Sequence, residues 1–218
     1  HRTLQKILTD RVDLGIIVNI FKNIYYKTIM RLAPETTEET KNTILDKAFI
    51  RFRHFGFGKT TMVEIAQDCE MSAGNLYRYF KSKKDIGAGC TRHCMQQKLE
   101  LVREIVRNHR LSPEKKLQAF TLQILEYMHQ QFSDQPALIE LVDFISRERW
   151  DIVLQYMEQE RSLISEILSE GNRSGDFNIP DVLETSKWIQ AALIKFIAPR
   201  YMDAFTLEEL RQEAIGVT

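Results

Sequence analysis

The segment from Thr60 to Lys83, TTMVEIAQDCEMSAGNLYRYFKSK, constrains the fold of this chain more than any other part of it. Thr61, with Glu64 three residues later, has the pattern of a capping box, in which the two residues satisfy each other's backbone N–H groups at a helix start. Ser72 is a residue type that caps helices, and Ser82 repeats the capping-box pattern with an acid three residues on. The segment therefore predicts a helix, a tight turn, a second short helix and the start of a third.

The second of these helices is predicted to have a small leading end and an apolar rear. Ala73, Gly74 and Asn75 leave room for close approach to another molecule, as the recognition helix of a helix-turn-helix protein approaches base edges. Leu76 and Phe80 have the spacing to anchor the helix from behind. The pattern therefore favours a DNA-reading head.

The residues from Ile44 to Phe55, followed by GFGKTTMVEIAQDCEMSAGNLYRYFKSKKDI, resemble the N-terminal domain of the TetR family of transcriptional regulators. In that family a glycine closes the first helix, a Thr pair opens the second, and a Leu-Tyr-x-Tyr/His-Phe-x-Ser/Asn-Lys string ends the recognition helix. The match covers roughly Thr37 to Ile86. It departs at Asn75, where the family more often has Thr, and at Met71, where a small aliphatic residue is usual. Both departures bear on the base sequence recognised and not on the fold.

The resemblance implies which residues meet DNA. The expected set is Thr60, Thr61, Ser72, Ala73, Gly74, Asn75, Tyr77, Arg78, Tyr79 and Lys83. Lys83 is expected at a helix start, where its ammonium and the free backbone N–H groups of the helix both favour binding of a phosphate. Asn75 suits adenine, and Arg78 suits guanine or a phosphate. For Tyr77 and Tyr79, plain packing against the core remains the alternative.

Charge is distributed unevenly although the formal net charge is zero. Basic and acidic residues number six and two in residues 1–34, ten and eight in residues 35–95, and fourteen and twenty in residues 96–218. A basic N-terminal part beside an acidic C-terminal part is what a protein needs if one end meets phosphates and the other must not. A solvated charged surface is the alternative explanation.

The rest of the chain has helical apolar spacing and no convincing strand alternation, so the predicted fold class is all-α. We expect an N-terminal extension at 1–35, a helix-turn-helix DNA-binding domain at 36–86 and a helical effector-binding and dimerisation domain at 87–218. A connecting helix should run from about Lys83 to about Asn108, with a bundle of about five helices after it. The turn from Gly171 to Phe177 resembles the family's break between two C-terminal helices.

The family resemblance also implies a small-molecule effector and a homodimer. The helices expected at 181–198 and 207–218 would meet their counterparts in a second subunit, and paired heads would then bind a palindromic operator in double-stranded DNA. Bulky apolar side chains in the bundle are candidates for lining the effector pocket, namely Tyr127, Met128, Phe132, Phe144, Trp150, Met157 and Trp188. Aromatic and Met residues at helical spacing are more often core, so that reading stays open.

Residues 1–33 lie outside the resemblance. Their apolar residues could form an amphipathic helix, and Met30 stands where a head of this type normally begins. Two interpretations of this segment are open: it is a non-native or unusual extension, or it is a functional arm.

Two further features of the sequence bear on the regulator hypothesis. Cys90, His93 and Cys94 have one-turn spacing on a helix, which suggests a metal or redox site, but a fourth ligand is lacking and buried thiols are favoured.

No nucleophile elbow, phosphate-binding glycine loop or carboxylate pair indicates an enzyme, and no cofactor or metal is expected. No signal peptide or membrane span is visible, so the expected location is a reducing cytoplasm.

The sequence therefore predicts a TetR-type regulator, expected to be a repressor released from its operator by a small molecule. The alternatives are an all-helical protein-interaction module with a helix-turn-helix-like head that does not bind DNA, and an all-α enzyme. The effector, the operator sequence and the sign of regulation are left open by the sequence.

Overall fold

The computed structural model describes residues 36–218, which contain ten α-helices, two turns of 3₁₀ helix and no strand. The all-α prediction is thus confirmed. The chain divides into two compact units, His1–Asn42 and Thr43–Thr218. Only residues 36–42 of the first unit are described, as the start of helix α1. The amphipathic helix predicted near the N-terminus and the start proposed at Met30 lie outside the described residues.

The helices follow the predicted order of a three-helix head, a connecting helix and a bundle. They are α1 Thr37–Phe55, α2 Met62–Asp68, α3 Ala73–Tyr79, α4 Lys83–Val106, α5 Pro113–Phe132, α6 Ile139–Glu148, α7 Trp150–Ser174, α8 Val182–Ala192, α9 Ile194–Ile197 and α10 Leu207–Val217. The 3₁₀ turns cover Pro136–Leu138 and Pro199–Tyr201.

The helix starts of the head are set by local side-chain caps. Thr61 and Glu64 form the predicted capping box: the Thr61 hydroxyl accepts from the Glu64 N–H at 3.3 Å, and the Glu64 carboxylate accepts from the Thr61 N–H at 2.8 Å. The Ser72 hydroxyl accepts from the Asn75 N–H at 3.1 Å. The turn between these helices passes through Glu70, whose φ of 54° is left-handed.

The predicted capping box at Ser82 is only half formed. The Ser82 hydroxyl accepts from the Asp85 N–H at 3.2 Å, as expected. However, the Asp85 carboxylate accepts from the Ser82 hydroxyl at 2.9 Å, and no reciprocal bond to the Ser82 backbone forms. Asp is one methylene shorter than the Glu that usually completes this motif. The prediction of a full capping box is therefore confirmed at Thr61 and wrong at Ser82.

The head has a shared apolar core and one polar tie. Phe52, Ile65 and Leu76, from three different helices, are fully buried. Arg51 on α1 binds Asp68 on α2 through two hydrogen bonds, one of them 2.9 Å long from Nη2. The bond from Arg51 is the main reason why the pKa of Asp68 is lowered. The three helices therefore form one packed unit.

Helix α4 joins the head to the bundle and ends close to the predicted position. Its last residue, Val106, offers its carbonyl to the Lys116 ammonium at 2.8 Å. The same ammonium, fully buried, contacts both carboxylate oxygens of Glu170 at 2.8 and 2.7 Å. One lysine therefore ties the end of α4 to α5 and α7.

The long helix expected at 181–198 is not continuous. Asp181 caps its start, with its carboxylate accepting from the Glu184 N–H at 2.9 Å. The helix then ends at Ala192, and a separate turn, α9, precedes Pro199. Proline lacks an N–H group and disfavours a helical conformation in the residue before it, so Pro199 accounts for the end of α9 at Ile197. The break after Ala192 lies too far upstream to be caused by this proline. The prediction of a single helix is thus wrong.

The glycine-bearing turn after α7 works through close packing. Gly175 ends the helix with a left-handed φ of 83°. The chain then folds back, and the Phe177 N–H donates to the Gly171 carbonyl at 3.0 Å. The Phe177 ring lies so near Gly171 that a Cβ there would stand 2.1 Å from the ring's Cδ2.

We expect Gly171→Ala to destabilise the fold by about 1–3 kcal/mol, because the added methyl group would displace the Phe177 ring. In an open helix the same substitution usually stabilises by about 0.5–1 kcal/mol. Urea denaturation followed by circular dichroism measures the difference. Gly74→Ala on α3 is the matched control, since its Cβ would meet only the Ser72 hydroxyl, at 4.0 Å. Equal stability of the Gly171 variant and the unmodified chain would contradict the packing argument.

Candidate nucleic-acid interface and internal cavity

Helix α3 presents one face outward and one face inward. Leu76 is fully buried, whereas Tyr77 is 52% exposed and Arg78 is also exposed. Neither Tyr77 nor Arg78 makes a hydrogen bond or ion pair within the described range 36–218. Gly74 is exposed too, and a Cβ there would meet only the Ser72 hydroxyl, at 4.0 Å. This face has the free donors and the room that contact with a duplex requires.

The remaining predicted residues of α3 are less available. Ala73, Asn75 and Tyr79 are half-buried, and Ala73 and Tyr79 pack against the apolar core. The packing alternative for Tyr79 is therefore the one that the structure supports. Asn75 and the capping Ser72 lie at the leading end of the helix, where the predicted base contacts would be made.

The two threonines before α2 differ sharply. Thr60 is 2% exposed, and its hydroxyl donates to the Gly56 carbonyl at 2.8 Å. It therefore shapes the turn between α1 and α2 and does not face outward. Thr61 is exposed, although its hydroxyl also donates to the Glu64 carboxylate at 2.8 Å. Of the pair, only Thr61 is placed for the predicted phosphate contact.

Lys83 is bound to the turn that follows α1. Its ammonium donates to the Gly58 carbonyl at 2.9 Å and lies 4.9 Å from the centre of the Phe57 ring. Burial lowers the pKa of this ammonium, while the negative charges of Glu140 and Glu64 act in the opposite direction. The residue predicted as a phosphate clamp thus also has a structural contact.

One face of helix α6 holds the head. The Glu140 carboxylate accepts from the Gly58 N–H at 2.6 Å. The Phe144 ring stacks on Phe57 with a centroid distance of 5.0 Å and an interplanar angle of 19°, and Glu148 forms an ion pair with Lys84. The three α6 residues are four apart in sequence, so they lie along one stripe of the helix.

The neighbouring face of α6 lines a cavity of about 410 Å³ inside the bundle. Its walls come from several helices and are mainly apolar. They are formed by Phe49, Thr91, Cys94, Met95, Lys98, Met128, Phe132, Leu141, Val142, Ile145, Ser146, Trp150, Val153, Tyr156, Met157, Ile194, Ile197, Ala198, Pro199 and Arg200.

Four of the seven side chains proposed for an effector pocket lie in this wall, namely Met128, Phe132, Trp150 and Met157. The other three lie elsewhere. The hydroxyl of Tyr127 binds the Gln97 side chain at 3.0 Å outside the cavity, Phe144 packs on the head, and Trp188 is 64% exposed on α8. Which residues contact an effector stays a prediction.

Sequence reasoning missed the contribution of α4 to the cavity. Lys98 is its most unusual member, because it is 6% exposed and lies among apolar side chains. Its ammonium is 4.2 Å from the centre of the Tyr156 ring, and burial lowers its pKa. The signal in the sequence was a single lysine within an apolar stripe formed by Met95, Leu99 and Val102.

The cysteine cluster is divided between two environments. Cys90 is buried and its thiol donates to the Leu45 carbonyl at 3.3 Å. Burial raises the pKa of this thiol well above its usual value, which disfavours the thiolate that metal binding and oxidation require. Cys94 faces the cavity. The Nε2 atom of His93 lies 3.7 Å from the Oδ1 atom of Asp46. Residues 36–218 contain no group of three side chains placed to hold a metal ion.

A helix-turn-helix head, a connecting helix and an all-helical bundle with an internal cavity define a class of helical transcriptional regulators. Residues 44–88 match the family model of bacterial regulatory proteins of the tetR family. Residues 113–218 match the tetracyclin repressor-like C-terminal domain. The chain therefore belongs to the TetR family of transcriptional regulators. No curated protein matches the sequence.

Solved structures share this fold at low sequence identity. A TetR/AcrR-family regulator from Thermobifida fusca is 17% identical with a TM-score of 0.65, covering 81% of this chain and 94% of its own. A transcriptional regulator from Cytophaga hutchinsonii is 20% identical with a TM-score of 0.63, and the match covers 80% of this chain and 92% of that protein. The fatty acid degradation regulator FadR from Bacillus halodurans is 19% identical with a TM-score of 0.61, covering 81% and 93%.

Within the described part of the chain, no helix is both long enough and apolar enough to cross a bilayer.

We expect Glu140→Ala to loosen the turn at Gly58, because the acceptor of its N–H is removed. Loss of one hydrogen bond to a charged group corresponds to about 1.5 kcal/mol, so the Gly58 amide should exchange about tenfold faster. Hydrogen exchange followed by NMR measures this rate. Glu140→Gln retains an oxygen acceptor and should have a smaller effect, and Glu114→Ala, on the exposed start of α5, is the control. Unchanged exchange at Gly58 in Glu140→Ala would rule out the contact.

Proposed function

We propose that this protein is a DNA-binding repressor that leaves its operator when a small molecule binds in the cavity. The observation that carries the proposal is the arrangement of α6, which contacts the head with Glu140, Phe144 and Glu148 and lines the cavity with Leu141, Val142 and Ile145. A ligand that displaces the cavity-lining residues of α6 must also affect the residues of α6 that contact the head. The head would correspond to residues 36–86 and the effector-binding and dimerisation part to residues 87–218.

The exposed face of α3 supports direct reading of DNA. Arg78 is free to bind guanine or a phosphate, and the hydroxyl of Tyr77 is free to donate to a phosphate. Asn75 and Gly74 lie at the end of the helix that would enter the major groove. Lys83 and Thr61, at the starts of two helices, would meet the backbone, where the helix dipole favours an anion.

A homodimer is supported by apolar side chains that the fold leaves exposed. Leu183 and Trp188 on α8 are 69% and 64% exposed, and Ile215 and Val217 on α10 are 49% and 55% exposed. Clusters of large exposed apolar residues mark interaction sites. We propose that α8–α9 and α10 pair with the same helices of a second copy, which would place two heads on a palindromic operator in the cytoplasm.

Release by a ligand requires a difference in affinity between two arrangements of the same protein. The molecule in the cavity must favour an arrangement of α6 that holds the head away from its DNA-binding position. Binding of DNA and binding of effector would then weaken each other by the same factor.

The alternative is a protein-interaction module whose head does not bind DNA. The two are separated by the effect of salt, because neutralising phosphates releases counterions and makes binding fall steeply as salt rises. A genomic selection of bound fragments supplies the duplex for the measurement.

We expect Arg78→Ala to weaken operator binding by about 1–3 kcal/mol if the guanidinium reads a base, with little change on unrelated DNA. If it contacts only phosphate, binding to all duplexes should weaken alike and the salt slope should fall by about one. Fluorescence anisotropy at several salt concentrations measures both. Arg173→Ala, at the exposed end of α7, is the control. Unchanged binding of Arg78→Ala to every duplex would remove this residue from the interface.

We expect the double variant Leu183→Asp, Trp188→Asp to be monomeric, because two charged groups would replace apolar surface at the proposed interface. Burying each original side chain contributes about 1.5–3 kcal/mol, so the dimer should weaken by at least a hundredfold, roughly. Sedimentation velocity measures the mass. Ile50→Asp is the matched control, since Ile50 is 48% exposed on α1 and outside the proposed interface. A variant that still sediments as a dimer would refute this interface.

A further inference from the structure

Lys98 places an ammonium with no hydrogen-bond acceptor in a largely apolar cavity. Within residues 36–218 it has no hydrogen bond and no ion pair, and its close contact is the face of the Tyr156 ring at 4.2 Å. Lysine is almost never fully buried unless it is paired. An ammonium has three donors, and leaving them unmet in an apolar environment is costly.

The nearest buried carboxylate is already occupied. Glu160 is 1% exposed, and its two oxygens accept from the Tyr156 hydroxyl and from the Gln190 amide, each at 2.7 Å. Burial lowers the pKa of Lys98, while Cys94 and the carboxylate of Glu160 act in the opposite direction. Glu160 supplies no hydrogen bond to the ammonium, however, so the donors of Lys98 remain available to a ligand.

Lys116 shows how this fold treats a lysine that has a purely structural role. It is fully buried, and its ammonium has three bonds, one to the Val106 carbonyl and two to Glu170. The contrast between the two lysines separates a satisfied structural cation from an unsatisfied one at a cavity wall.

The other polar groups of the wall are engaged. The hydroxyl of Thr91 donates to the Gly87 carbonyl at 3.0 Å, and that of Ser146 donates to the Val142 carbonyl at 2.8 Å. Arg200 pairs with Asp143, and its side chain is 61% exposed. Among the described residues, a ligand inside the cavity therefore meets one unpaired basic side chain, Lys98, and otherwise mainly apolar walls.

We propose that the effector is an organic carboxylate with an apolar body, whose carboxylate binds the Lys98 ammonium. This inference rests on the proposed function in that it takes the cavity to be the effector site. A carboxylate supplies the acceptors and the opposite charge that the ammonium lacks. The apolar body fills a volume of about 410 Å³, which is within the usual range for small-molecule sites. An amine would bring a second positive charge to the same wall, and an alcohol would leave the charge of Lys98 unpaired.

Three probes with the same apolar chain test the head group, namely decanoate, decanol and decylamine. Each is titrated into the purified full chain by isothermal calorimetry. We expect decanoate to bind at least tenfold more tightly than the other two, because it alone forms a charge-assisted hydrogen bond with Lys98. Decanoate that fails to bind, or that binds no better than decanol, overturns the proposal.

Variants of Lys98 test the residue. Lys98→Met keeps a similar length without the charge, and Lys98→Gln keeps a neutral donor. We expect both to lose at least tenfold in decanoate affinity while binding decanol as well as before, which also shows that the cavity is still folded. Lys115→Met, on the exposed side of α5, should bind decanoate normally. Decanoate affinity that is unchanged in both Lys98 variants overturns the assignment.

The same samples separate this inference from the proposed function. Operator binding is measured without ligand and then with decanoate added. If decanoate binding depends on Lys98 but no salt-dependent DNA binding is found, the repressor proposal fails and the carboxylate site stands. If DNA is bound and decanoate is not, the carboxylate inference fails and the DNA-binding proposal stands. Release of DNA by decanoate from the unmodified chain, and not from Lys98→Met, supports both.

Discussion

The backbone of Gly58 is held from both sides, which ties the turn after α1 to two other helices. Its N–H donates to Glu140 on α6, and its carbonyl accepts from Lys83 at the start of α4. The Glu140 carboxylate lies so close that a Cβ on either Gly56 or Gly58 would stand 3.0 Å from its oxygen. Gly56 also has a left-handed φ of 87°. The turn after α1 is therefore fixed by glycine geometry and by partners from two other helices.

Helix α4 connects three charged or polar contacts that otherwise look unrelated. Lys83 at its start binds the turn of the head, Lys98 near its middle faces the cavity, and its last carbonyl, that of Val106, binds Lys116. Lys116 restrains the far end of α4 through its hydrogen bond to the Val106 carbonyl, and the ion pair with Glu170 holds the ammonium of Lys116 in place.

The start of helix α2 was predictable from sequence, although the same local pattern failed at Ser82, and the long-range contacts of the head were not predictable. The capping box of Thr61 and Glu64 involves residues three apart, so the pattern alone was sufficient. The bond between Glu140 and Gly58 joins residues 82 positions apart and leaves no pattern in either segment. Adjacent residues also diverge: Thr60 is buried and Thr61 is exposed, and Met128 lines the cavity although Tyr127 does not. Successive residues on a helix point about 100° apart. The type of a residue therefore did not show whether its side chain faces the cavity, because that depends on the helices packed around it.

The contacts between α6 and the head are few, and each contributes modestly to stability. The bond from Gly58 to Glu140 has a charged acceptor and contributes about 1.5–3 kcal/mol. The stacked pair Phe57 and Phe144 adds about 0.5–1.5 kcal/mol, and the exposed ion pair of Lys84 and Glu148 adds about 0–1 kcal/mol. These contacts together contribute a few kcal/mol, which is the same order as the ~1–3 kcal/mol by which one binding site usually affects another. A ligand in the cavity could therefore change all three contacts without unfolding the apolar cores on either side, because those cores involve many more buried side chains.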